Sequence, residues 1–168
     1  MSLSLYQASI PSFVRMFDNL SAILDKAVAY CEERKIDPGV LLNARLAPDM
    51  HPLTRQVQIA SDLAKGCAAR LAGVEPPSFA DTETSFAELQ ARIGKTLEFI
   101  RSVTPEQIDA GEGREITLKF PSSEFSFKAP DYLLHFALPN FYFHVTTAYA
   151  ILRHNGLRIG KMDYMGAP

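Results

Sequence analysis

The segment from about residue 131 to 154 is apolar almost all round, with Asp131, His135, Asn140, His144, Thr146 and Thr147 as the exceptions before Arg153. Such a helix is either a membrane span or the most buried helix of a bundle. A span would carry two histidines, an asparagine and Pro139 into hydrocarbon, at a cost on the order of a kcal/mol or more for each polar group. The residues favour the buried helix, and Asn155-Gly156 closes it.

A buried helix needs partners that each offer one apolar stripe. Ile10, Phe13, Val14, Phe17, Leu20, Leu24, Ala27, Val28 and Cys31 recur at helical steps and predict a helix over roughly 9–34, with Pro11 in its first turn. Asp37-Pro38 then starts a short connector over about 38–45, which Ala47-Pro48 breaks. Leu53, Val57, Ala60, Ala64, Cys67 and Leu71 mark a second helix from 51 or 52 to 71, ended by Gly73 and Pro76-Pro77, and its small residues imply close packing. Ser85 with Glu88 reads as a capping box for a third helix over about 85–102.

Between 115 and 128 the period falls to two: Ile116, Leu118 and Phe120, then Phe125 and Phe127, alternate with polar residues around a Pro121-Ser122-Ser123-Glu124 turn. This predicts a β-hairpin, which must lie against the helices to be stable. The tail from Leu157 to Pro168 reads as extended, packed on the bundle or on a second subunit. No repeat or low-complexity tract interrupts the 168 residues, so the expectation is a single all-α domain over 1–168, a four-helix bundle with a hairpin inserted before the last helix.

Charge narrows the partners. With 17 Lys plus Arg against 19 Asp plus Glu the net charge is −2, which offers no cationic surface for nucleic acid or anionic membrane. Cys31 and Cys67 fall on apolar stripes and read as buried packing residues of a protein in a reducing compartment. MSLSLYQASI has neither a cationic start nor a continuous apolar run, so no signal peptide is expected and the location expected is cytoplasmic. Walker, GxGxxG, GxSxG, HExxH and CxxC patterns are absent, and Gly111-Glu112-Gly113 reads as a polar loop.

Chemistry is therefore sought on the last helix. Asn140 and His144, four residues apart, project from one face, with Thr147 one turn on. Polar groups in so apolar a helix either bond one another across the bundle or line a cavity, since an unpaired buried amide or imidazole costs roughly 1–3 kcal/mol. His51, beside Asp49 at the start of the second helix, can reach the same end of the bundle. His135 falls on another side, and His154 suits the negative helix end. Thr54, Arg55, Gln58, Ser61, Asp62 and Lys65 read as a solvated helix face. Among the aromatic residues Tyr142 and Tyr149 carry phenols that need partners.

Two stretches, LNARLAPDMHPL over 42–53 and NFYFHVTTAYAILRHNG over 140–156, resemble an uncharacterised domain-of-unknown-function family of the DinB/YfiT-like superfamily, over nearly the whole chain. The resemblance implies an up-down-down-up four-helix bundle, frequently a homodimer. Some superfamily members hold a divalent metal with three histidines, one near the start of helix two and two in an HxxxH on the last helix, and use it in thiol transfer or hydrolysis. Carried onto this chain, His51 and His144 match two of those ligands, and Asn140 stands where the third histidine would be. An amide oxygen is a poor ligand for zinc or nickel beside imidazole. The expectation is a weak metal site of His51, His144 and Asn140, completed by Asp49 or water with Tyr142 in support, or else a small-ligand pocket involving Asn140 and Tyr142. The rival is a non-catalytic dimeric interaction protein in which the same residues form a buried hydrogen-bond network.

Overall fold

Ser4 starts the first helix, because its hydroxyl accepts from the Gln7 amide while the Gln7 side chain accepts from the Ser4 amide. In the computed structural model, which describes residues 3–166, α1 consequently runs Leu5–Arg34 and begins ahead of the residue 9 expected. Pro11 is carried inside the helix on its exposed side, so the capping box, and not the proline, sets the start. Lys35 ends it in the left-handed region at φ 55°, where Ile36 donates back to the Cys31 carbonyl.

After the short α2 (Pro38–Leu42), capped by Asp37, come α3 (Leu53–Ala72) and α4 (Phe86–Ser102), the latter begun by the Ser85–Glu88 capping box. Ala60, Ala64, Cys67 and Ala68 are fully buried along α3, which lets it approach α4 and the last long helix closely. A five-residue helix, α5 (Pro105–Asp109), follows on its own Thr104–Gln107 capping box. It was not expected, since five residues carry no apolar stripe. Gly111 then passes so close to α3 that an added Cβ would sit 2.1 Å from the Leu71 carbonyl oxygen. The polar Gly-Glu-Gly loop thus has a packing reason for its first glycine.

β1 (Glu115–Phe120) and β2 (Ser123–Lys128) form the hairpin, antiparallel, with Ile116 opposite Phe127 and Phe120 opposite Ser123. The turn is therefore Pro121-Ser122, tighter than the four residues expected. Ile116 and Leu118 are buried. The ring of Phe127 lies 5.9 Å from that of Phe136 and 6.3 Å from that of Tyr132, so the hairpin rests on the segment that leads into the last helix.

That segment is α6 (Ala129–Asp131), then a π-helical stretch Tyr132–Ala137, then α7 (Leu138–His154). The Leu138 amide bonds the Leu133 carbonyl, five residues back. Pro139 supplies the reason: its ring would crowd the His135 carbonyl of a regular helix, and it has no amide to bond there. Deeper in, the ring of Phe141 meets those of Phe13 and Phe17 edge-on at 4.8 and 5.2 Å, at the centre of the core. The tail, expected to be extended, forms α8 (Lys161–Met165) against α1. Asp163 pairs with Lys26, and Asn19 Nδ2 donates to the Tyr164 carbonyl at 2.9 Å. Ala167 and Pro168, the end of the expected extended tail, lie outside the described residues. No helix among the described residues is long and apolar enough to cross a membrane.

Candidate functional site

His144 sits one turn beyond Asn140 on α7, and what holds its ring is a residue of α3. Gln56, 1% exposed, places Oε1 2.6 Å from His144 Nδ1 while its Nε2 donates to the His51 carbonyl at 2.9 Å. A carbonyl can only accept, so the Gln56 amide is oriented by His51 and its oxygen faces the imidazole. Nδ1 therefore carries the ring proton and Nε2 the lone pair. Burial, then the neighbouring His51 and Arg55 charges, bring the His144 pKa down to about 4, so the ring is neutral at pH 7. The His51 side chain is exposed; it contributes chiefly through its backbone carbonyl and its electrostatic pressure on His144.

Asn140 opens onto a different feature, a groove of about 350 Å³ between α3, the hairpin and the start of α7. Arg55, Ile59, Asp62, Leu63 and Arg70 line it from α3 at helical spacing, and Tyr132, Phe136 and Asn140, four apart, line it from the other side. The extra residue in the π-helical turn keeps those last three on one side. Leu118, Lys119 and Phe120 of β1 complete the wall.

Its charges are not equally compensated. Arg55 pairs with Asp81, while Asp62 pairs with Lys65 and Arg92. Lys119 lies 3.9 Å from Glu124 on the surface. Arg70 pairs with no carboxylate among the described residues; its Nη1 donates to the Tyr132 hydroxyl at 3.3 Å. Room for that guanidinium comes from Gly66, one turn earlier, where an added Cβ would sit 2.6 Å from Arg70 Nη1. Burial pushes the Tyr132 phenol pKa up, which keeps it a neutral partner.

The other residues singled out by sequence lie elsewhere. Tyr142 falls on another side of α7 from Asn140 and His144 and packs edge-on against Phe141, 5.6 Å between centroids. Asp49 is exposed in the turn before α3. Thr147 donates to the Phe143 carbonyl at 2.7 Å and so satisfies itself within α7. His135 is exposed, 4.0 Å from Asp131, and His154 is exposed in the last turn. Cys31 and Cys67 are free and buried, and burial pushes the Cys67 thiol up to about 12, far from thiolate chemistry.

The expected solvated face of α3 is corrected: Gln58, Ser61 and Lys65 are 4%, 0% and 7% exposed. They are covered by the 74–85 loop and by Arg92 of α4. Arg92 reaches Asp62, Glu83 and Asp81 at 2.8, 2.9 and 3.0 Å. Gln58 Nε2 donates to Glu83 at 2.8 Å, and Ser61 shares a 2.7 Å bond with Thr96. Burial raises the Glu83 pKa, but the bonds from Arg92 and Gln58 outweigh it and leave the carboxyl below its ordinary range.

The donor set can be tested against the divalent metal implied for this kind of fold. Among the described residues no three His, Cys, Asp or Glu side chains come together in a way that could hold a metal ion. His144 offers Nε2, but Asn140 opens onto the groove beside Arg55, a fixed positive charge. Two imidazoles and an amide near an arginine do not fit a tight zinc or nickel centre.

Known proteins place the chain by family. No curated protein matches it. The crystal structure of a DinB family member protein from Shewanella denitrificans superposes with a TM-score of 0.90 at 42% identity, covering 98% of this chain and 93% of that one. The model of the family described as Domain of unknown function (DUF1993) matches residues 5–165. The chain belongs to that DinB-like family of unknown function.

Proposed function

We propose that this protein is a small-ligand-binding, up-down-down-up four-helix bundle whose site is the Asn140 groove with the adjoining His51–Gln56–His144 cluster. The observation that carries the reading is the 2.6 Å bond from His144 to Gln56, which fixes a neutral ring with an unprotonated Nε2 one helical turn from Asn140, a residue that lines a groove of ligand size. A ring with a pKa of about 4 is a weak base at neutral pH. Its best use is to accept a hydrogen bond from a ligand hydroxyl, thiol or N–H, and this favours binding over catalysis. A cytoplasmic homodimer is the context we infer, supported by the two free buried cysteines and by Phe120 and Phe125, exposed and in edge contact at the hairpin tip.

The same Gln56 bond supports a second reading, a non-catalytic interaction protein in which the cluster is a structural network. A fragment screen by NMR on the full chain separates the two. The ligand reading expects fragments that shift Asn140 and His144 signals and lose affinity in Asn140→Leu and His144→Phe variants. Fragments that bind with equal affinity in both variants, or none that bind at all, would sink it. Elemental analysis of the natively purified protein and of a His51→Ala, His144→Ala double variant tests the metal alternative. Stoichiometric metal lost in the variant would restore that alternative.

A further inference from the structure

Resting on the groove as a ligand site, we propose that it selects a small amphipathic monoanion, a carboxylate on an apolar body, with Arg70 as the anchor of the carboxylate. The charge comes first. Of the ionic groups on the groove, Arg55, Asp62 and Lys119 each have an opposite charge within 4 Å, and Arg70 has none among the described residues. One uncompensated cation suits one negative charge on the ligand.

Its placement is built by two other residues. Gly66 leaves the space in which the guanidinium lies back along α3, and the Tyr132 hydroxyl takes one Nη1 proton at 3.3 Å. The remaining Nη2 and Nε donors make no bond to the protein among the described residues. They form the planar fork that matches a carboxylate in two parallel bonds.

The rest of the groove sets the body of the ligand. Ile59, Leu63, Leu118 and Phe136 present apolar surface beside Arg70, which favours a hydrocarbon or aromatic body over a sugar or free phosphate. Asn140, on the far wall, supplies an amide donor and acceptor for a polar tip.

Titration of the full chain followed by NMR, with benzoate, phenylacetate and hexanoate against benzamide, benzyl alcohol and inorganic phosphate, tests the assignment. The three carboxylates are expected to shift Arg70, Leu118 and Phe136 signals and to bind at least about tenfold more tightly than the neutral analogues. Arg70→Gln should remove that preference with the neutral probes unaffected, and Arg70→Lys, which keeps the charge without the fork, should fall between. Melting curves of both variants check that they are folded, as expected because Arg70 is exposed. Carboxylate binding unchanged in Arg70→Gln, or phosphate as good as benzoate, would overturn the proposal. Neutral probes that bind the groove as well as the acids would leave it a ligand site and remove only the anion selectivity. If no probe binds, both readings fall.

Discussion

α3 carries two polar regions that a helical wheel would class together; they meet at Arg55 and Asp62, and they are built on opposite principles. Toward the 74–85 loop, Arg55, Lys65 and Arg92 face Asp62, Asp81 and Glu83, three charges of each sign in one network. Toward the hairpin, Arg70 meets a phenol and no acid, and Asn140 faces the groove across from it. In the closed network every charge has an opposite charge within 4 Å, and the network holds a loop in place. An open one leaves donors unbonded at the wall of a concavity, where a ligand could complete them. What separates the two on this helix is charge compensation, and polarity alone would not reveal it.

Removing the centre of the closed network is the most severe way to test that contrast. The Arg92 side chain is 1% exposed, and Arg92→Ala would leave Asp62, Asp81 and Glu83 without their shared cation. Glu83, 10% exposed, would be left without a cation, while Asp62 and Asp81 are partly exposed and keep Lys65 and Arg55. Loss of the partner of a buried ion costs about 3–5 kcal/mol, and urea unfolding should show a loss near the lower end of that range. A loss below about 1 kcal/mol would mean that the network is solvated and that the two surfaces do not differ in kind. The equivalent change on the open side, Arg70→Ala, should cost at most about 0.5 kcal/mol, as expected for an exposed side chain without an ion-pair partner.

The His144–Gln56 pair lies between these extremes and gives a pH signature. His144 titrates at about 4 in the folded protein, below the ordinary histidine value of 6.5. Between those values the unfolded chain binds the proton and the folded one does not, so this group's stabilising effect is complete above pH 6.5 and is lost as pH falls toward 4. Discounted for partial exposure, the loss is on the order of 1–2 kcal/mol. His144→Phe should flatten that part of the stability–pH curve. Glu83 adds a separate loss, because its lowered pKa contributes stability that disappears at more acidic pH, below the ordinary carboxylate range. Gln56→Glu, which places a carboxylate on Nδ1, should raise the His144 pKa in an NMR titration. A ring that still titrates at about 4 would show that Gln56 does not orient it.

Most of the helical framework was legible because it rests on local rules. Apolar periodicity located α3, α4 and the body of α1, and the Ser85–Glu88 pair marked the start of α4. The Ser4–Gln7 and Thr104–Gln107 boxes are the same signal, obscured in the first case by a nearby proline and in the second by a helix too short for a stripe. At the site, His51, Asn140 and His144 could be singled out as polar residues in apolar company. Gln56 could have been found the same way, since it stands three after Leu53 and four before Ala60 on the buried side of α3. Arg92 could not, because Asp62 is 30 residues away and only folding brings them together. The π-helical turn was visible only as a proline that had to disturb its helix.

The mildest test concerns Gly66, a glycine in the interior of a helix, where alanine would ordinarily be better by about 0.5–1 kcal/mol. The atoms nearest an added Cβ belong to the Arg70 guanidinium, the first at 2.6 Å, and that is the far end of a flexible side chain free to swing outward. Gly66→Ala should therefore raise stability by up to about 1 kcal/mol in urea while weakening carboxylate binding, since Arg70 can no longer lie back toward Tyr132. The open surface would then be shown to hold its arginine at the expense of helix stability, as a binding site does and a structural network does not. A stabilised variant with undiminished binding would mean that the position of Arg70 is incidental. The contrast between the two faces of α3 would then rest on the closed network alone.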